Sequence, residues 1–173
     1  MKIEVNGRNK VENSISWIAY EGVVDKKTSL TLEAGYSCVV YISGRRYDVF
    51  NNPGEYNFSR SLAGESILVY AFDGSEIACL FGIGEAGKVN NAYGQYKLVV
   101  TDRELFIEKF GIGKKEITPK VIRDFINPEL PNILRDCNNI DEANKALEVL
   151  LKSKLQSRGL SIKSCNIEEI NFK

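Results

Sequence analysis

The spacing of turn residues through the first half of the chain limits its fold more than any other feature. Between Ser14 and about Val100, apolar and β-branched residues gather in runs of about four to eight, each closed by Gly, Asn, Asp or Pro; this is the rhythm of short strands. The runs predict strands over Ser16–Tyr20, Ser29–Leu32, Cys38–Ile42, Arg46–Phe50, Gly54–Phe58, Ile67–Phe72, Glu76–Phe81 and Gly94–Thr101. Ser43-Gly44-Arg45 and Asn51-Asn52-Pro53-Gly54 carry residues that tolerate positive φ or fix φ at the proline value. Connections this short join antiparallel neighbours, because a parallel crossover needs roughly a dozen residues or more.

The period changes after Thr118, an expected N-cap followed by Pro119 at the first helical position, where a missing N–H costs nothing. Pro128 and Pro131 interrupt the helical pattern, so Val121–Asp136 predicts one kinked helix or two short ones. Asp141–Arg158 places Ala143, Ala146, Leu147, Leu150, Leu151, Lys154 and Leu155 on or beside one helical face, with Gly159 where a left-handed C-cap belongs. Leu160–Phe172 is strand-like and is expected to return to the sheet. No low-complexity stretch or Pro/Ser-rich linker divides the chain, so the expectation is a lead-in over residues 1–14 and a single domain over residues 15–173. The expected class is α+β: a curved, mainly antiparallel sheet with two or three helices packed on it.

Twenty-three basic and 23 acidic residues cancel, which removes the average field that draws proteins to nucleic acid, and no nucleic-acid partner is expected. Basic and aromatic residues interleave only at Arg45-Arg46-Tyr47-Asp48-Val49-Phe50, where strand alternation permits a base-stacking platform without requiring one. The start, Met1-Lys2-Ile3-Glu4-Val5-Asn6-Gly7, lacks the apolar core of a signal peptide, and no stretch reaches the roughly 20 apolar residues that span a bilayer. A cytoplasmic protein without a transmembrane segment is therefore expected. Cys38, Cys79, Cys137 and Cys165 form no CxxC pair, and three of them sit in apolar runs, as reduced core thiols do. The sequence has no histidine, so the commonest metal ligand and general base are both missing, and no catalytic residue, metal or cofactor is expected.

The sharpest rival is enzymatic or ligand-binding. Gly82-Ile83-Gly84-Glu85-Ala86-Gly87 fits the dinucleotide fingerprint after a predicted strand, with Asp102 about 20 residues further on. That chemistry needs a helix N-terminus to receive the pyrophosphate, yet Lys88-Val89-Asn90-Asn91-Ala92-Tyr93-Gly94 has no apolar stripe and closes on glycine, so a hairpin loop is expected. Asp136, Asp141 and Glu142 read as helix-capping residues, and Glu168 and Glu169 as a solvated strand edge. Phe-Gly-Ile-Gly occurs at Phe81–Gly84 and Phe110–Gly113 with unlike flanks, which predicts two turns rather than a repeat.

The run Tyr36-Ser37-Cys38-Val39-Val40-Tyr41-Ile42-Ser43-Gly44-Arg45-Arg46-Tyr47-Asp48-Val49-Phe50-Asn51-Asn52-Pro53-Gly54-Glu55-Tyr56-Asn57-Phe58 resembles the opening of a band-7 (SPFH) domain, the module of stomatins, prohibitins and flotillins. Gly44, Pro53, Gly54 and Tyr56 occupy the family's turn positions, and Asp48-Val49-Phe50 is similar to a bacterial branch described as virion-core-protein-like. Gly94–Asp102 resembles the family's central strand ending in Asp, and Asp141–Arg158, Gly159-Leu160-Ser161-Ile162 and Ile167-Glu168-Glu169-Ile170 follow in family order. Arg103 departs from the proline common there, and no membrane anchor precedes Ser14 and no long heptad helix follows Phe172. The resemblance implies a non-enzymatic scaffold: a weak homo-oligomer that organises or regulates an unidentified protein partner, peripheral at the inner face of the membrane.

Overall fold

Alternation of Ile3 and Val5 with polar residues makes Lys2–Val5 a strand, β1, with both apolar side chains buried. In the computed structural model, which describes residues 1–173, β1 runs parallel to β3 (Ser29–Leu32), and β6 (Gly54–Asn57) lies antiparallel on the other side of β3. The stretch read as a lead-in thus supplies an edge strand. A second sheet has the order β10-β2-β7-β4-β5, formed by β10 (Glu116–Ile117), β2 (Ser16–Val23), β7 (Ser66–Asp73), β4 (Tyr36–Ile42) and β5 (Arg45–Phe50), all antiparallel. Side chains from both sheets, among them Ile3, Trp17, Leu30, Leu32, Val40 and Val69, form one core cluster.

These strands belong to one of two compact units, residues Met1–Ser75 with Gly111–Thr118. The other unit comprises Glu76–Phe110 and Pro119–Lys173 and holds all four α-helices. Its sheet has the antiparallel order β11-β9-β8, from β11 (Leu160–Phe172), β9 (Val89–Val100) and β8 (Ile77–Ile83). One face of that sheet is buried, through Ile77, Cys79, Phe81, Ala92, Tyr96, Leu98 and Ile167. The helices are α1 (Arg103–Phe110), α2 (Pro119–Ile126), α3 (Leu130–Leu134) and α4 (Ile140–Leu155). A 3-10 turn over Asn127–Glu129 joins α2 to α3, so Pro128 and Pro131 produce two short helices.

Helix α4 begins where the Asn139 side chain accepts the Glu142 amide at 2.9 Å, while Glu142 reaches back to the Asn138 amide at 2.8 Å. Its buried stripe is Ala143, Leu147, Leu150, Leu151 and Leu155, packed on β11. Gly159 ends the helical run at φ 77°, and its carbonyl accepts the amides of Thr101 at 2.8 Å and Asp102 at 3.2 Å. A Cβ at Gly159 would lie 2.2 Å from the Asp102 carbonyl oxygen, so the position requires glycine.

The class is α+β with mainly antiparallel pairing, as the sequence predicts; the strands divide among three sheets rather than one, and the β1–β3 pair is parallel. The strand predicted at Ser16–Tyr20 is interior to its sheet, because the returning β10 covers Ser16 and Trp17.

Candidate interaction surfaces

The glycine-rich loop is the tip of a hairpin. β8 runs to Ile83, Ala86 and Val89 exchange both backbone hydrogen bonds at 2.9 Å, and β9 returns antiparallel. No helix begins here, so Gly82–Gly87 presents no N-terminal dipole to a pyrophosphate. Gly87 adopts φ 56°, and a Cβ on it would lie 2.4 Å from the Arg135 carbonyl oxygen; Gly82 and Gly84 have open space around them. Asp102, the acidic residue of the same pattern, caps α1 by accepting the Leu105 amide at 3.0 Å. Of the two Phe-Gly-Ile-Gly segments, the first completes β8 and the second follows the end of α1.

All four cysteines are free thiols. Burial pushes the Cys38 thiol up to about 12 and that of Cys79 up to about 11, and it raises Cys137 and Cys165 as well. Cys79 lies beside Tyr96, whose hydroxyl donates to Asn127 Oδ1 at 3.0 Å and whose ionisation burial also suppresses. A thiol held protonated is a poor nucleophile. No group of Cys, Asp and Glu residues is arranged to hold a metal ion. In the Arg45–Phe50 strand the rings are engaged within their own unit: Tyr47 tilts against Phe58 at 5.7 Å and Phe50 against Tyr56 at 4.4 Å.

The face of β8–β9–β11 turned away from the core lies open. Leu80 is 65% exposed and Tyr93 47%, and their neighbours on this face are Ala78, Gly82, Gln95, Lys97, Asn166 and Glu169. A polar ladder runs across it: Tyr93 donates to Glu169 Oε2 at 2.9 Å, and Gln95 donates to Glu168 Oε1 at 3.3 Å. The Asn171 amide and the Tyr93 hydroxyl hold the Glu169 carboxyl below its ordinary range. Glu168 and Glu169 lie on β11, the edge strand of this sheet, as the sequence pattern predicts, and the pairing of Glu169 with Tyr93 beside the β11 bulge sets its carboxylate on the open face.

Sheet edges carry side-chain caps. Asn9 Nδ2 donates to the Glu4 carbonyl of β1, Asp48 Oδ1 accepts the Val49 amide of β5 at 2.8 Å, and Asn144 Oδ1 accepts the Ile167 amide of β11 at 2.8 Å. Asn127 Nδ2 lies 3.4 Å from the Leu80 carbonyl of β8. Each cap occupies a backbone group that an incoming strand would use. Beside α3 and α4, Ile133, Ala146, Val149 and Leu150 line a hollow of about 560 Å³ flanked by Glu142 and Lys145, with Val149 60% exposed. No helix is long and apolar enough to cross a membrane.

A scan against protein-family models finds no match, and a search of the curated proteins finds no significant relative.

Proposed function

We propose that the chain is a non-enzymatic scaffold domain of the band-7 type that associates weakly with copies of itself and organises or regulates a partner protein at the cytoplasmic membrane surface. The observation that supports this reading best is the open face of β8–β9–β11, where the sheet offers Leu80 and Tyr93 within a polar surround. The motif order from Tyr36 to Ile170 supports the family resemblance. Light scattering over a hundredfold concentration range tests it. The average mass is expected to rise above that of the 19.4 kDa monomer, and a mass that stays monomeric throughout removes self-association from the function. Flotation with neutral liposomes should leave most of the protein unbound, because a peripheral contact here depends on partners.

The hollow beside Val149 favours a second reading, a module that captures one protein partner and works as a monomer. A nucleotide titration by calorimetry tests the ligand-binding alternative at Gly82–Gly87, and the hairpin geometry predicts no heat.

A further inference from the structure

We infer that the open face of β8–β9–β11 is self-complementary and that its occupant is the same face of a second copy, turned about a two-fold axis that crosses the strands at the level of Leu80 and Gln95. The inference rests on the scaffold reading above and names its first partner.

The register fixes what such an axis brings together. Leu80, Gln95 and Asn166 form one row across the three strands; Ala78, Lys97 and Ser164 form the next row on one side, and Gly82, Tyr93 and Glu169 the next on the other. Rotation about the middle row lays each strand over its own copy and exchanges the outer rows. Leu80 then meets Leu80 of the second copy, and Lys97 lies over the second copy's Tyr93 beside its Glu169.

Charge selects this arrangement. Lys97 makes no ion pair within its own chain, whereas the Glu169 carboxylate is held in place by the Tyr93 hydroxyl and the Asn171 amide, each at 2.9 Å. An ammonium over a phenol ring with a carboxylate beside it is favourable on both counts. The alternative axis, along the strands, would stack Lys97 on Lys97 and Leu80 on Asn166. Size agrees with charge: Ala78 and Gly82 flank Leu80 on β8, and nothing lies within 4 Å of a Cβ built on Gly82, so the facing leucines have room to interlock. Aligned sheets pack face to face about 10 Å apart with their strands some 30° from collinear, an offset that long Lys and Glu side chains span. The edge caps disfavour strand addition as the competing route, and a two-fold contact closes at the dimer.

Sedimentation velocity of the full chain across a concentration series tests the inference with Leu80→Asp, Lys97→Glu and Glu169→Lys, all at positions outside the core. The native chain should reach a monomer–dimer equilibrium that saturates at the dimer, and Leu80→Asp should raise its Kd at least tenfold. Lys97→Glu and Glu169→Lys should each weaken the dimer alone, and an equimolar mixture of the two should restore it, because the mixed pair brings opposite charges together at both contacts. Misfolding of either variant would not produce that rescue. Oligomers that form equally well with Leu80→Asp overturn the face while leaving the scaffold reading intact. Growth past the dimer overturns the two-fold arrangement, and a native chain that stays monomeric overturns self-association itself.

Discussion

Asn144 on helix α4 accepts the backbone amide of Ile167 on β11 at 2.8 Å, so a helix side chain closes the outer edge of the longest strand in the fold. Ile167 is buried, which leaves its amide no water as a substitute partner. Asn144→Ala should therefore cost about 1–3 kcal/mol, the usual range for an orphaned buried group. Urea unfolding checks the magnitude, and hydrogen exchange at the Ile167 amide should accelerate in the same variant.

Two strand glycines should respond in opposite ways to the same change. A Cβ on Gly94 would lie 2.2 Å from the Asn166 carbonyl oxygen and 2.9 Å from the Phe81 ring, a collision with fixed backbone where β9 meets β11. Gly94→Ala is expected to destabilise by about 3 kcal/mol or more. Gly82→Ala enters open space in an extended strand and should stabilise by about 0.5–1 kcal/mol through the unfolded chain. Midpoints of chemical unfolding for the pair measure both effects, and equal losses would show that Gly82 has a close neighbour after all.

Stability should decline in alkali. Unfolded thiols ionise near about pH 8.5, whereas burial holds Cys38 protonated to about 12 and Cys79 to about 11, and it raises Tyr96 in the same direction. Their folded-state pKa values are raised, so the folded chain retains protons that the unfolded chain releases. The associated stability is complete below about pH 8.5 and is lost as pH climbs through 9 to 11, by up to about 1.4 kcal/mol per unit for each group. Unfolding midpoints between pH 7 and 10.5 test the sign. Alkylation at pH 8 should label the half-buried Cys165 before Cys38 or Cys79.

Local chemistry made much of the fold legible. The β3 strand, the Pro-interrupted helices, α4 and the Gly159 cap follow from periodicity and from residues with fixed backbone demands. The hairpin at Gly82–Gly87 was legible because the residues after it carry no helical stripe. The return of Leu160–Phe172 to a sheet was legible too, but other pairings between distant segments were not. The parallel partnership of β1 with β3, and the return of Glu116–Ile117 onto β2, depend on long-range register that no local signal encodes. Asn90 and Asn91 obscured the first part of β9, since both disfavour strands and are tolerated there by their solvent-facing positions. The open face was likewise hidden: Leu80 sits in an apolar run that reads as core, and only its pairing opposite Gln95 shows that it faces out.

The first strand provides the last test. Ile3 and Val5 are 2% and 0% exposed, and both join the core cluster that contains Trp17. Full burial of two such side chains is worth about 3–6 kcal/mol together, a large share of the roughly 5–15 kcal/mol by which a domain is stable. Removing residues 1–14 also takes away the parallel partner of β3. The shortened chain should therefore lose cooperative unfolding of the unit built from Met1–Ser75 and Gly111–Thr118. Trp17, the single tryptophan, lies in that unit and is 1% exposed, so its emission reports this loss as a red shift. Far-ultraviolet dichroism follows the other unit, where all the α-helices reside. An unchanged Trp17 emission and an unchanged urea midpoint after the deletion would show that β1 adds nothing to the core, against its complete burial of Val5.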